Sequence, residues 1–227
     1  MTGVIHWFTD PAHWRGAAGV PTLLLQHSLL TVSALLLAAI IGLPLALWMG
    51  HRHRGGDLIV NVANVGRAVP VIALLSLLAL GFVGSADLGP FGRAGLATLV
   101  TLALFALPPI VTSTYVGMTG VDPEVVEAAR GMGMSEMRVL RTVELPLALP
   151  LVVSGLRLAV VQVWATATIA AIVAGPGLGR IITHGYDSDS PSEVISGSII
   201  VAVIALVLEL AMVLLQRAVD PIPARSR

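Results

Sequence analysis

Ionisable and polar side chains are scarce in this 227-residue chain, and their types decide which chemistry is open to it. All 13 basic residues are Arg and none is Lys, so a Walker A loop, whose Lys reaches the nucleotide phosphates, is excluded. The absence of Cys removes disulfide frameworks, zinc ribbons and thiol nucleophiles. The six His are scattered, and His51-Arg52-His53 reads as a solvated basic cluster rather than a metal site. No HExxH helix, hydrolase serine elbow or pair of catalytic carboxylates occurs. What remains is the chemistry of holding a solute rather than of breaking bonds. Ser154, Gln162, Trp164, Thr166 and Thr168 interrupt one apolar run, and Asn61, Asn64, Arg67 and Ser76 surround Pro70 in another. Polar groups in such runs can line a path, although Ser and Thr can also bond their own helix backbone. Arg157 and Glu209 are charges set inside apolar runs, each about 10 to 12 Å from the same end at 1.5 Å rise per residue, and this shared depth predicts a buried ion pair. Arg67 competes as a partner, and independent snorkelling is the plainer alternative.

These side chains must be carried by membrane spans. Hydrophobic residues make up 56% of the chain and charged ones 11%, against about 25% in soluble domains, and the mean hydropathy is +0.91. Thirteen basic and 13 acidic residues form no basic stripe, which excludes nucleic-acid binding. Five stretches are long and apolar enough to cross a bilayer: roughly 23–49, 58–83, 95–115, 149–174 and 194–216. Their number puts the termini on opposite sides. Arg52, Arg54, Arg130, Arg138, Arg141, Arg217, Arg225 and Arg227 fall on one side, and Arg15, Arg93 and Arg180 on the other. The positive-inside rule therefore places the N-terminus outside and the C-terminus in the cytoplasm. The expected fold is all-α, one transmembrane domain over 1–227, with an outer interfacial segment at 1–22 anchored by Trp7 and Trp14. Pro70 and Pro108-Pro109 should bend their spans, which suits a gate or a simple kink.

The largest polar insertion, 116–148, falls on the predicted cytoplasmic side. Asp122 followed by Pro123 reads as an N-cap with Pro in the first turn, giving a short helix to Arg130. Gly131 and Gly133 should break it, and Ser135 should cap a second helix from Glu136 to Glu144 that runs into Leu145-Pro146.

Glu127-Ala128-Ala129, then Gly133, Val143, Leu145 and Pro146, resembles the EAA signature of permease subunits of bacterial ABC importers: EAA, three residues, G, nine residues, I, one residue, LP. Val143 stands where Ile is usual. The stretch Arg67 to Leu74 resembles the QTIPSLAL segment of permeases for osmoprotectants. Leu145 to Gly155 and Ala165 to Gly179, the latter ending in Ala174-Gly175-Pro176-Gly177-Leu178-Gly179, are similar to that group's LPLALP and GAGGLG segments, with Arg67 in place of Gln and Pro176 in place of Gly.

The resemblance implies a type I importer permease whose loop at Glu127, Ala128, Ala129, Gly133, Leu145 and Pro146 seats in a cleft of a separate ATPase subunit. It also implies that ATP and Mg are bound by that partner and no cofactor by this chain. A second permease subunit, identical or related, would complete the pathway in the bacterial cell membrane. The expected path residues are Asn64, Arg67, Pro70, Ser76, Gln162, Trp164, Thr166 and Thr168. The expected solute is an osmoprotectant such as glycine betaine, choline, carnitine or proline. Only Phe82, Phe105 and Trp164 lie well inside spans, too few for a cation-binding aromatic cage, so capture falls to an extracytoplasmic binding protein docking on 175–192. Two alternatives stay open: a methionine-type or other small-solute ABC importer, and a secondary transporter or channel. The second lacks the expected repeats and intramembrane acids, Glu209 apart.

Overall fold

Apolar runs of this length satisfy their backbone only as helices in lipid, and the chain builds an all-helical bundle. The computed structural model describes residues 2–56, 58–59, 61, 66, 68–81, 84 and 94–219. In order these form α1 (Thr2–Thr9), a 3-10 turn (Pro11–Trp14), α2 (Val20–His51), α3 (Val71–Leu80), α4 (Gly95–Thr119) and α5 (Pro123–Gly131). There follow α6 (Glu136–Val139), a π turn (Leu140–Glu144), α7 (Leu145–Ala167), a 3-10 turn (Thr168–Val173), α8 (Gly179–Asp187) and α9 (Pro191–Val219). Among the described residues, four helical stretches are long and apolar enough to cross a membrane: Val20–His51, Gly95–Thr119, Glu136–Val173 and Pro191–Val219. Of the expected second span, α3 is described, with Pro70 as its extended N-cap; Asn64, Arg67, Phe82 and Arg93 lie outside the described residues.

Helix α4 packs between α2 and α7, and small residues let the three approach closely. Leu30, Ala34 and Ala38 meet Leu102, Ala103, Ala106 and Ile110, which meet Ala159, Val163 and Ala167. Pro44, Pro108-Pro109 and Pro150 are carried inside continuous helices. Helix α9 stands at the edge, where only Ser196 and Gly197 are buried, and its Leu206, Val207 and Leu210 are exposed as lipid or a second subunit would require.

Several expectations are corrected. The second loop helix, expected over Glu136 to Glu144, is α-helical only to Val139 and then passes through a π turn into α7 without a break. Leu145 N–H donates to the Leu140 carbonyl, five residues back, and this wider turn makes room for the Pro146 ring, which would otherwise press on the carbonyl four residues before it. Gly131 ends the first loop helix rather than breaking it, and the reversal falls to Gly133 alone at φ +82°. Trp7 turns inward, 6% exposed, against Val20, Leu23, Trp164 and Leu178, so it docks α1 on the bundle instead of on lipid headgroups. The segment expected as the large outer loop contains α8, whose Ile181 and Gly185 pack inward at helical spacing.

Candidate functional site

At the Arg-rich end, the segment from Asp122 to Glu144 forms a small unit with its own core. The Asp122 carboxylate accepts from Glu124 N–H at 2.9 Å and fixes the start of α5. Val121, Val126, Ala129 and Val139 close beneath it, with Met134 and Val143 at their margin. Gly133 N–H donates to Arg130 carbonyl (2.9 Å) and Met134 N–H to Ala129 carbonyl (3.3 Å), which seals the helix end through the left-handed glycine. Arg130 grips Glu136 with Nε and Nη2, both at 3.0 Å, which raises the guanidinium further above its ordinary pKa.

The signature residues therefore divide. Glu127 and Ala128 are exposed, while Ala129 is spent on the unit's own core. Leu145 is half-buried and Pro146 exposed where α7 begins. Exposed Val125, Met132 and Met137 add an apolar face beside Glu127. His51 is not solvated as its neighbours suggested: it contacts Glu144 and Glu136.

Deeper in the bundle, a cavity of about 720 Å³ opens between α4, α7 and α9, lined by Phe105, Pro109, Thr112, Gln162, Arg157 and Glu209 among others. Thr112 brings a buried hydroxyl with no partner among the described residues. Arg157 and Glu209 meet here: Nε donates to Glu209 Oε1 at 2.9 Å, Nη2 donates to the same oxygen, and Nη1 donates to Gln216 at 3.0 Å. The pair expected to be buried is only part-buried: the side chains are 32% exposed for Arg157 and 34% for Glu209. Removing one partner leaves a charge without its counterion beside apolar neighbours, a cost that solvent at these part-exposed side chains reduces but does not cancel. Arg157→Leu and Glu209→Leu are each expected to lower the detergent melting temperature more than the double substitution does. Strictly additive losses would show that the pair contributes no coupling.

Among the described residues, the expected path residues other than Gln162 are not brought together at this cavity. Trp164 is buried away from the cavity, its Nε1–H donating to the Val201 carbonyl at 3.2 Å. Thr168 bonds the Ala165 carbonyl of its own turn at 2.6 Å, the structural alternative for a helix Thr. Thr166 and Ser76 are half-buried, and neither they nor Pro70 reach the cavity, which Gln162 does.

His27 was missed by sequence reasoning. Its ring is fully buried, tilted against Trp164 at 4.3 Å between centroids. Leu178 N–H donates to Nδ1 at 3.3 Å, so Nδ1 is the acceptor and Nε2–H donates to the Trp164 carbonyl at 3.1 Å. The ring is thus a neutral imidazole joining α2, α7 and the glycine-rich turn before α8. A lone His in an apolar run is itself a signal, because lipid would not leave both ring nitrogens unpaired. Gly177 covers it at φ +107°, where a Cβ would stand 2.8 Å from Nδ1. Beside that turn lies a second cavity, about 640 Å³, lined by Arg15, Gln26, Arg180, His184 and Glu193 among others.

Residues 34–222 match the family described as binding-protein-dependent transport system inner membrane component. The chain is 34% identical over 202 residues to the glycine betaine/carnitine/choline transport system permease protein OpuCD of Bacillus subtilis, covering 88% of this chain and 84% of that one. It is 31% identical to the osmoprotectant import permease protein OsmW of Salmonella typhimurium, covering 96% and 97%. An inward-facing structure of the MetNI methionine ABC transporter superposes with a TM-score of 0.74 at 23% identity, covering 93% of this chain and 99% of that one, a likeness of fold.

Proposed function

Since this chain belongs to the family of binding-protein-dependent transport inner membrane components, we propose that it is the importer permease for an osmoprotectant of the betaine and choline class. The observation that carries the solute class is the identity of 30% or more, over most of the chain, to permeases named for carnitine, choline and glycine betaine. The methionine importer shares the fold at 22 to 23% identity, which does not favour methionine as the solute.

The Arg-rich end faces the cytoplasm, as the positive-inside rule expects. There the exposed Glu127, Ala128, Val125, Met132 and Met137 dock an ATPase subunit that binds ATP and Mg, and the unit around Ala129 passes its movement to α7. The cavity at Gln162, Arg157 and Glu209 belongs to half of a translocation path, completed by a second permease on the uncovered faces of α7 and α9. Permeases named OpuCB and OpuCD of one Bacillus subtilis transport system support such pairing. Among the described residues Phe105 is the one aromatic lining this cavity, which supports leaving high-affinity capture of a quaternary ammonium to a binding protein at the opposite end, near α8.

The test is uptake of labelled glycine betaine, choline, carnitine, proline and methionine into proteoliposomes holding the permease with its ATPase and binding protein. The expected result is nucleotide-dependent uptake of quaternary ammonium solutes. Uptake of methionine instead would replace the solute class, and uptake indifferent to nucleotide would point to a secondary transporter.

A further inference from the structure

Helix α8 is two-sided, and its charges are set against its own stability. Ile181 and Gly185 pack inward, whereas Arg180, Thr183, His184 and Asp187 share the other face at helical spacing and line the second cavity. Arg180 stands in the first turn and Asp187 is the last residue. A helix dipole favours the reverse order, acid first and base last, so neither charge stabilises the helix that carries it. Nor do they satisfy each other. At 1.5 Å rise per residue they are about 10 Å apart along the axis, and among the described residues neither forms an ion pair. The same cavity takes a second cation from another wall, Arg15, at the end of the 3-10 turn Pro11–Trp14, and it too has no ion-pair partner among the described residues. The remaining carboxylate is already engaged, since His184 Nδ1–H donates to Glu193 at 2.9 Å. A space of about 640 Å³, of the size that holds small solutes, thus offers two guanidinium groups to an anion and one carboxylate to a cation.

We propose that this cavity is a solute site at the outer end of the permease, which receives a zwitterion bearing an ammonium and a carboxylate before it enters the path. Arg15 and Arg180 take the carboxylate, for which the planar guanidinium is the best-matched side chain, and Asp187 faces the ammonium. The solute class rests on the reading of this chain as an osmoprotectant permease. A cation without a carboxylate satisfies Asp187 alone and leaves both guanidinium groups as they were, so glycine betaine is held better than choline. Arg15, Arg180 and Asp187 are exposed, and solvent screens each contact. The site is therefore weak, which suits a solute that must be passed on.

The chain has no Cys, so Thr183→Cys on the cavity face of α8 gives it a single thiol for an impermeant maleimide, with permease and ATPase together in lipid nanodiscs. Glycine betaine at about 50 mM is expected to slow labelling about fivefold, and choline at matched ionic strength by less than about twofold. Ala12→Cys, on another wall, should report the same order. Arg180→Gln and Arg15→Gln, each added to a reporter, should remove the protection by glycine betaine. Equal protection by the two solutes overturns carboxylate recognition. Absence of protection by glycine betaine at both reporters overturns the site, and protection only when the binding protein is added does so too, making the cavity a docking receptor. Uptake by the same preparation with its binding protein is read separately. Nucleotide-dependent uptake of glycine betaine without protection removes the site and leaves the importer reading, and protection without uptake does the converse.

Discussion

Gly133→Val is expected to abolish nucleotide-coupled uptake, by at least about tenfold, while the spanning helices melt where the wild type does. The obstacle is the backbone alone. Gly133 sits at φ +82°, and a Cβ built there meets nothing within 4 Å, so side-chain volume is not the obstacle. A β-branched residue cannot hold the left-handed conformation without a cost of about 1 to 3 kcal/mol, and the segment escapes that cost by abandoning the reversal. The bonds from Gly133 and Met134 back to Arg130 and Ala129 then open, and Glu136 drifts from Arg130. Gly133→Asn, which tolerates the left-handed region, should retain most uptake. Gly131→Ala, at a helical glycine with open space around it, should be silent. A Gly133→Val importer that transports at the wild-type rate would remove the segment from the coupling mechanism.

The second large effect is on stability, at the opposite end. Gly177→Val combines a φ of +107° with a Cβ 2.8 Å from His27 Nδ1 and 3.2 Å from its Cβ, so backbone strain and collision act together. His27→Leu removes the acceptor of the buried Leu178 N–H, for which about 1 to 3 kcal/mol is the usual cost. Both variants are expected to lower the melting temperature in detergent by several degrees, Gly177→Val the more. Because they break one contact, the double variant should lose less than the sum. Melting of Gly177→Val within about two degrees of wild type would show that the turn is not seated on the imidazole.

Sequence reading reached the elements more readily than their joints. Apolar run length gave the long helices to within a few residues at most ends, since nothing but a helix satisfies the backbone of 95–115 in lipid. Asp122-Pro123 marked the start of α5 because capping is local chemistry. Depth arithmetic sufficed to place Arg157 and Glu209 at one level, and the structure brings them into contact. What escaped were pairings across long stretches of chain: His27 with Leu178, His51 with Glu144, and Trp164 turned toward Val201 rather than a path. These depend on the rotation of each helix about its own axis, and the apolar residues around the spans leave that rotation nearly unmarked. The π turn escaped for a related reason. Pro146 fits the first turn of a helix by local chemistry, and nothing around it in the sequence marks the wider turn that precedes it.

That continuity has a mechanical side. From Glu136 to Val173 the chain winds for 38 residues without interruption, making a beam of roughly 57 Å. A beam gripped near its foot works as a lever: tilting it by about 5° sweeps its tip through about 5 Å, close to one helical pitch. The foot carries Glu136 and Glu144, and just past the tip Leu178 closes over His27 beside the second cavity. A small displacement at one end of the beam would thereby be magnified at the other, with no relay of side chains in between. Gly155 stands at the midpoint of this beam, where α4 presses so close that a Cβ would meet Ser113 Cβ at 2.7 Å, so it is the neighbouring helix rather than the beam's own backbone that keeps it straight.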